Sequence, residues 1–258
     1  MITKTVLTPY FLDKLVPGLE ELKEWDWILN RESLPESTVM ERMSVLHESL
    51  ANAVEGISVT GETPVSIAGD CCSAIAMLAG LRRAVLNPLL IWFDAHGDFN
   101  TWETSPSGFL GGMPLAMLVG KGDQTFLEAL DLDPMEEERI ILTDGRDLDP
   151  SESEQVSRSS VTHLKNPLDL MDYTFSDQPL WIHFDTDILD PVDVPAQNYP
   201  APGGIRADDL REVFKYLADT GLICGISLSS WAPDLPGAEQ SKDVCLALLD
   251  VLSKGVNQ

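Results

Sequence analysis

The chain has 258 residues and a formal net charge of −25, with 44% of its residues hydrophobic and 23% charged. That balance suits a chain that buries a core, which excludes a disordered or fibrous protein, and the negative charge argues against nucleic acid or an anionic membrane as partner. The same charge favours solubility in salt, or a site that draws metal cations or a cationic small molecule. Four cysteines, two of them adjacent (Cys71 and Cys72), do not read as a disulfide framework. No apolar run reaches the ~20 residues of a membrane span. The start MITKTVLTPYFLDKL lacks the apolar core of a secretory signal, so a cytoplasmic address is expected.

In chain order, LPESTVMERMSVLHESLANAVEG predicts a helix capped near Ser37. From about Val65 short apolar runs alternate with helical ones. VSIAG precedes the helix-like SAIAMLAGLRRAVL, and LLIWF follows. RIILTD, VTHL, PLWIHF and LICGISLS are further strand candidates. DDLREVFKYLAD and SKDVCLALLDVLSK carry apolar residues at helical spacing. Continuous apolar strands separated by helices predict a parallel sheet buried on both faces. The expectation is one α/β domain over residues 1–258, a three-layer sandwich with a mostly parallel central sheet. Residues 1–60 are expected to pack against that sheet, and their role beyond that is open.

Functional groups in such sheets collect beyond the carboxyl ends of the strands. VSIAG runs into Asp70, Cys71 and Cys72, LLIWF into Asp94, His96 and Asp98, and PLWIHF into Asp185, Asp187 and Asp190. If the last segment stays extended, His183, Asp185 and Asp187 share a face. Three adjacent strand ends then pool four carboxylates, one imidazole and a thiol. Carboxylates that close repel unless cations sit between them. Either motif alone also reads as a capped turn with its acids on backbone amides. Together, each after a strand, they point to a pair of divalent cations.

DAHGD followed by HFDTDILDP resembles the arginase–agmatinase (ureohydrolase) superfamily, from about Val65 to the C-terminal helix. The resemblance implies a hydrolase that uses two Mn²⁺ ions to act on guanidine-type carbons. It implies Asp94, His96, Asp98, Asp185 and Asp187 as ligands, with Asp94 and Asp185 bridging, and Asp98 as the group that orients the attacking oxygen. Asn100 and Ser107 match positions that hold a substrate α-carboxylate, and Asp149 and Glu152 in GRDLDPSE match those that engage its α-amino group. The implied partner is a small guanidino amino acid, and a homo-oligomer is the family habit.

Three departures bear on the substrate. Cys71 stands where the family has its first histidine ligand, either as a thiolate ligand softer than imidazole or as a buried cysteine in a decayed site. One metal is therefore expected to be held less firmly, or replaced by another divalent ion. Gly111 replaces a proton-moving histidine, and Ser230 replaces a glutamate that faces the guanidinium. Loss of that carboxylate disfavours a full cation. An N-hydroxyguanidine needs it less, because its oxygen can meet Ser230 or fill the space above Gly111. The pattern resembles Nω-hydroxy-L-arginine hydrolases of cycloserine-type pathways, which release hydroxyurea and L-ornithine. The alternatives are a ureohydrolase acting on arginine or another guanidino compound, and a non-catalytic member. With Gly111 unable to move a proton, Asp98 or His183 is expected to do so, His183 otherwise being an imidazole that supports a ligand carboxylate.

Overall fold

The computed structural model describes residues 2–254. Among the described residues ten strands occur in chain order: β1 (Thr3–Thr8), β2 (Tyr10–Phe11), β3 (Lys14–Leu15), β4 (Ile28–Leu29), β5 (Thr63–Ala68), β6 (Leu89–Asp94), β7 (Ile140–Asp144), β8 (Thr162–Leu164), β9 (Leu180–Asp185) and β10 (Ile223–Ser229). The helices are α1 (Pro17–Glu20), α2 (Val39–Ser58), α3 (Ser73–Arg83), α4 (Pro114–Leu118), α5 (Thr125–Ala129), α6 (Pro150–Arg158), α7 (Ala207–Asp219) and α8 (Ala238–Lys254). Eight strands form one sheet in the order β4-β1-β5-β10-β9-β6-β7-β8. Every pairing described within it is parallel. All eight carboxyl ends therefore lie along one edge. The parallel α/β sandwich expected from the apolar runs is the fold observed.

Strand side chains alternate between two apolar layers. Leu90, Trp92 and Trp181 join the layer covered by α2 and α3, whereas Leu89, Ile91, Phe93, Ile182 and Phe184 join the layer under α7 and α8. In α7, Leu210, Val213, Phe214 and Leu217 follow the helical repeat and are fully buried. Phe214 meets Phe93 and Phe184 edge-on, at 5.1 and 5.3 Å between centroids, the arrangement that ring quadrupoles prefer.

Helix α2 begins one residue later than expected. Thr38 is its cap, accepting a hydrogen bond from the Glu41 N–H while Glu41 accepts from the Thr38 N–H at 3.0 Å. The N-terminal region does more than cover the sheet, because β1 is a full member between β4 and β5. Four of the six residues in its TKTVLT text are polar, but Val6 and Leu7 are fully buried.

Two expectations about the strand ends are corrected. β9 and β6 are neighbours, but β10 stands between β9 and β5, so the three end motifs do not come from adjacent strands. The chain also leaves its extended path at Asp185 and turns through a short 3₁₀ segment, Thr186–Ile188. Asp187 is thus brought to the site by a turn and not by strand alternation. Among the described residues no helix is long and apolar enough to cross a membrane.

Helices α2 and α3 meet closely at Gly80, where an added Cβ would lie 2.5 Å from Val54 Cβ and 2.6 Å from the Ala51 carbonyl oxygen. Gly80→Val is expected to destabilise the protein by roughly 1–3 kcal/mol through overpacking, read as a lower urea midpoint at unchanged slope. An unchanged midpoint would contradict this packing of α2 on α3.

Candidate functional site

A cavity of about 490 Å³ opens beyond the carboxyl ends of β5, β6, β9 and β10. Eleven of the sequence-selected residues line it: Cys71, Asp94, His96, Asp98, Asn100, Ser107, Asp149, Glu152, Asp185, Asp187 and Ser230. His183 does not.

Asp94 ends β6, with its carboxylate accepting from Trp92 Nε1 at 3.0 Å and from the His96 N–H at 2.7 Å. Asp185 ends β9 and accepts from the Asp187 N–H at 2.9 Å, which fixes the 3₁₀ turn. Asp187 accepts from the Ala95 N–H at 3.1 Å, and its other oxygen lies 3.0 Å from His96 Nδ1. Arg146 Nη2 donates to the Asp187 carbonyl at 2.7 Å and clamps the turn from below. The Cys71 thiol donates to Asp185 Oδ2 at 2.8 Å and lies 3.0 Å from Ser229 Oγ. Ser230 has φ 72°, a left-handed backbone rare for serine, and its hydroxyl also donates to Asp185.

Asp98 is the outlier. Its φ is 49°, it is buried, and its Oδ2 has no hydrogen-bond partner. A buried carboxylate oxygen left unpaired is costly unless something absent from the protein chain meets it. Burial, then the charges of Asp94 and Asp185, hold the Asp98 carboxyl well above the usual carboxylate range. Burial and the Asp187 charge push Asp185 up to about 7. Burial and the Asp94 charge push Asp187 up to about 6. For Asp94 the same two causes act, the neighbouring charge being that of Asp185. Burial opposes charge on His96, but hydrogen bonds to Asp187 and Asp94 outweigh it and push the imidazole up to about 12. Cys71 is held as a thiol by burial and by the charges of Asp185, Asp98 and Asp94.

Two sets of donor atoms lie within 4.8 Å of one another: Cys71 with Asp94 and Asp185, and Asp94 with His96 and Asp187. They share Asp94. Hard oxygen, imidazole and thiol donors around a carboxylate pool that repels itself are the chemistry of a divalent-cation centre, and the bare Asp98 oxygen lines the same cavity. The residues fit a pair of such ions. A cation beside Cys71 would also convert its thiol into a ligating thiolate.

The two other acids near the mouth differ in role. Asp149 caps α6 and accepts from Asn100 Nδ2 at 3.1 Å. Glu152 is buried, with one oxygen on the Phe99 N–H at 2.8 Å and the other on the Asp149 N–H at 3.2 Å. It fastens the loop after Asp98 to the start of α6. Ser107 Oγ accepts from the Phe109 N–H at 3.2 Å.

His183 lies away from the cavity lining. It is fully buried, stacked on Trp92 at 3.7 Å between centroids, with Nδ1 2.9 Å from Ser227 Oγ. Burial lowers its pKa to about 3, so it stays neutral. It approaches Asp185 only through Ser229, whose Oγ is 3.4 Å from both. The expected space above Gly111 is corrected: the Phe109 ring fills it. Phe109 was visible in SGFLGGMP, but nothing in the sequence showed that its ring folds back. Phe11 and Tyr199 also line the cavity, and no motif pointed to either.

A family model described as the Arginase family matches residues 28–252. An arginase of Bacillus subtilis (strain 168) is 29% identical over 239 residues, covering 87% of this chain and 81% of that protein. An N(omega)-hydroxy-L-arginine amidinohydrolase of Streptomyces lavendulae is 30% identical over 233 residues, covering 87% and 78%. The solved structure of an arginase from Bacillus caldovelox superposes with a TM-score of 0.83 at 25% identity, covering 100% of this chain and 99% of that one. The chain belongs to the arginase family. It is an arginase-family hydrolase.

Removing bound metal has a pH-dependent cost whose sign follows from the raised carboxyl pKa values. A carboxyl raised in the folded state contributes its full stability below its unfolded pKa, near 4, and loses it as pH rises through the folded value, here about 6 for Asp187 and about 7 for Asp185. The buried, neutral His47 and His183 act with the opposite sign, but equally with and without metal. The gap in Tm between metal-loaded and chelator-treated protein is expected to widen from pH 5 to pH 8, by an amount equivalent to roughly a few kcal/mol. A gap independent of pH, measured by scanning calorimetry, would count against a cation among these carboxylates.

Proposed function

We propose that the protein is a dimanganese amidinohydrolase that cleaves the guanidine C–N bond of an arginine-like amino acid. Its substrate is Nω-hydroxy-L-arginine and its products are hydroxyurea and L-ornithine. The observation that carries this reading is the placement of Ser230. No carboxylate stands at that position, and the serine proton is committed to Asp185. Its oxygen is left as an acceptor beside the donor groups, suited to the O–H of an N-hydroxyguanidine. The relative named for that activity supports the reading.

Cys71, Asp94 and Asp185 would hold one ion, and Asp94, His96 and Asp187 the other. When bound, the ions supply Lewis-acid activation of a water at neutral pH. Asp98 orients that water through its free Oδ2. As water adds to the guanidine carbon and the bond to the amino-acid arm breaks, Asp98 takes a water proton and returns it to the leaving nitrogen. Asn100 and Ser107 receive the α-carboxylate, and Asp149 receives the α-ammonium, with Glu152 holding the loop that carries them together.

The test is ornithine release from L-arginine and from Nω-hydroxy-L-arginine by Mn²⁺-reconstituted protein. Preference for the hydroxylated substrate is expected, and Ser230→Glu is expected to shift the preference toward arginine. Arginine turned over equally well or better would make this an arginase, as the Bacillus subtilis relative is named. No turnover of either, with metal bound, would leave another guanidino compound as the substrate, or the non-catalytic reading. Asp98→Asn should lower kcat by about 10²–10⁴-fold; retention of near-native kcat would remove Asp98 from the proton path.

A further inference from the structure

One wall of the cavity is aromatic. Phe11, Phe109 and Tyr199 reach it from three separate segments. The Phe109 ring lies nearly parallel to Phe11, 6.2 Å between centroids and 15° between planes, and tilts against Tyr199 at 4.9 Å and 42°. Residue 111 makes this possible. A Cβ there would lie 2.4 Å from the Cε1 and Cζ atoms of the Phe109 ring, so any side chain at 111 would displace it.

The rest of the cavity is polar and rich in carboxylates, and among the described residues no lysine or arginine lines it. Its carboxylates are largely committed. Asp94, Asp185 and Asp187 belong to the donor groups, and both Glu152 oxygens face backbone N–H groups. The Ser230 hydroxyl donates its hydrogen bond to Asp185. Besides the Asp98 Oδ2, the Ser230 oxygen and the exposed Asp147, the surface the cavity offers to a planar group on the substrate is the ring wall.

Aromatic faces attract cations through their quadrupole. They favour a guanidine-type group, which is planar, delocalised and weakly hydrated, over an ammonium, which is compact and strongly hydrated. We infer that Phe109, with Phe11 and Tyr199, is a specificity platform that holds the substrate's guanidine-type group by face contact, in place of a carboxylate. The inference rests on the guanidino-substrate reading and adds the residues that select the group. Gly111 is then a position kept empty for a ring.

Isothermal titration of the metal-loaded protein with propylguanidine and with butylamine, both cations at neutral pH, tests this without any chemical step. Propylguanidine is expected to bind the native protein about tenfold tighter than butylamine. Phe109→Leu and Tyr199→Leu each should weaken propylguanidine by about three- to thirtyfold and leave butylamine within about twofold, whereas Phe109→Tyr should keep the native preference. Tyr199 is 47% exposed, so its variant remains informative if the Phe109→Leu protein does not fold. The platform is overturned by equal affinities for the two probes, by native affinity in both leucine variants, or by no binding of propylguanidine to the native protein. The two readings fail separately. Ring-dependent selectivity without hydroxyarginine turnover would sink only the substrate assignment, and turnover without ring dependence would sink only the platform.

Discussion

Asp94, Asp98, Asp185 and Asp187 are buried together beyond the ends of two neighbouring strands, and their mutual repulsion is the constraint around which the site is arranged. Backbone N–H groups of residues 95, 96 and 187 and the Trp92 indole meet part of the charge. His96, charged between Asp94 and Asp187, meets more of it. One oxygen, Asp98 Oδ2, is met by no hydrogen-bond partner among the described residues. A fold does not keep such an assembly for stability alone, because apolar side chains of similar volume would cost less. Divalent cations are the proposed partners that would offset this cost.

The all-parallel sheet is what permits the assembly. Parallel strands point all their carboxyl ends to one edge, so residues as distant as Cys71 and Ser230 meet there. β10 separates β9 from β5, and its end fills that gap with Ser229 and Ser230. The two donor groups are chemically unlike. One carries a thiol and the other an imidazole, and Asp94 belongs to both. A soft donor on one side only gives the two positions different metal preferences.

Much of this was legible in the sequence, for physical reasons. Continuous apolar runs such as LLIWF and PLWIHF announce strands buried on both faces, and acids placed directly after them announce an edge with chemistry. β1 was not legible, since Thr3, Lys4 and Thr5 dilute the apolar signal that Val6 and Leu7 carry. The burial of His183 was not legible either. Its parity places it with Asp185, but Trp92 and Ser227 enclose it from the neighbouring strands, and strand order is a long-range property. The aromatic wall was hidden for the same reason. Phe11, Phe109 and Tyr199 are far apart in sequence, and only the absence of a side chain at Gly111 lets the Phe109 ring lie where it does.

Asp94, shared by the two unlike donor groups, is the proposed tie of one dinuclear centre. Metal content after equilibrium dialysis against Mn²⁺, measured by plasma mass spectrometry on native, Asp94→Asn and Cys71→Ser proteins, tests it most directly. Two ions per native chain, near-complete loss in Asp94→Asn and loss confined to one ion in Cys71→Ser are the predicted results. Native metal content in Asp94→Asn, or a native chain that binds no more than one ion, would contradict it.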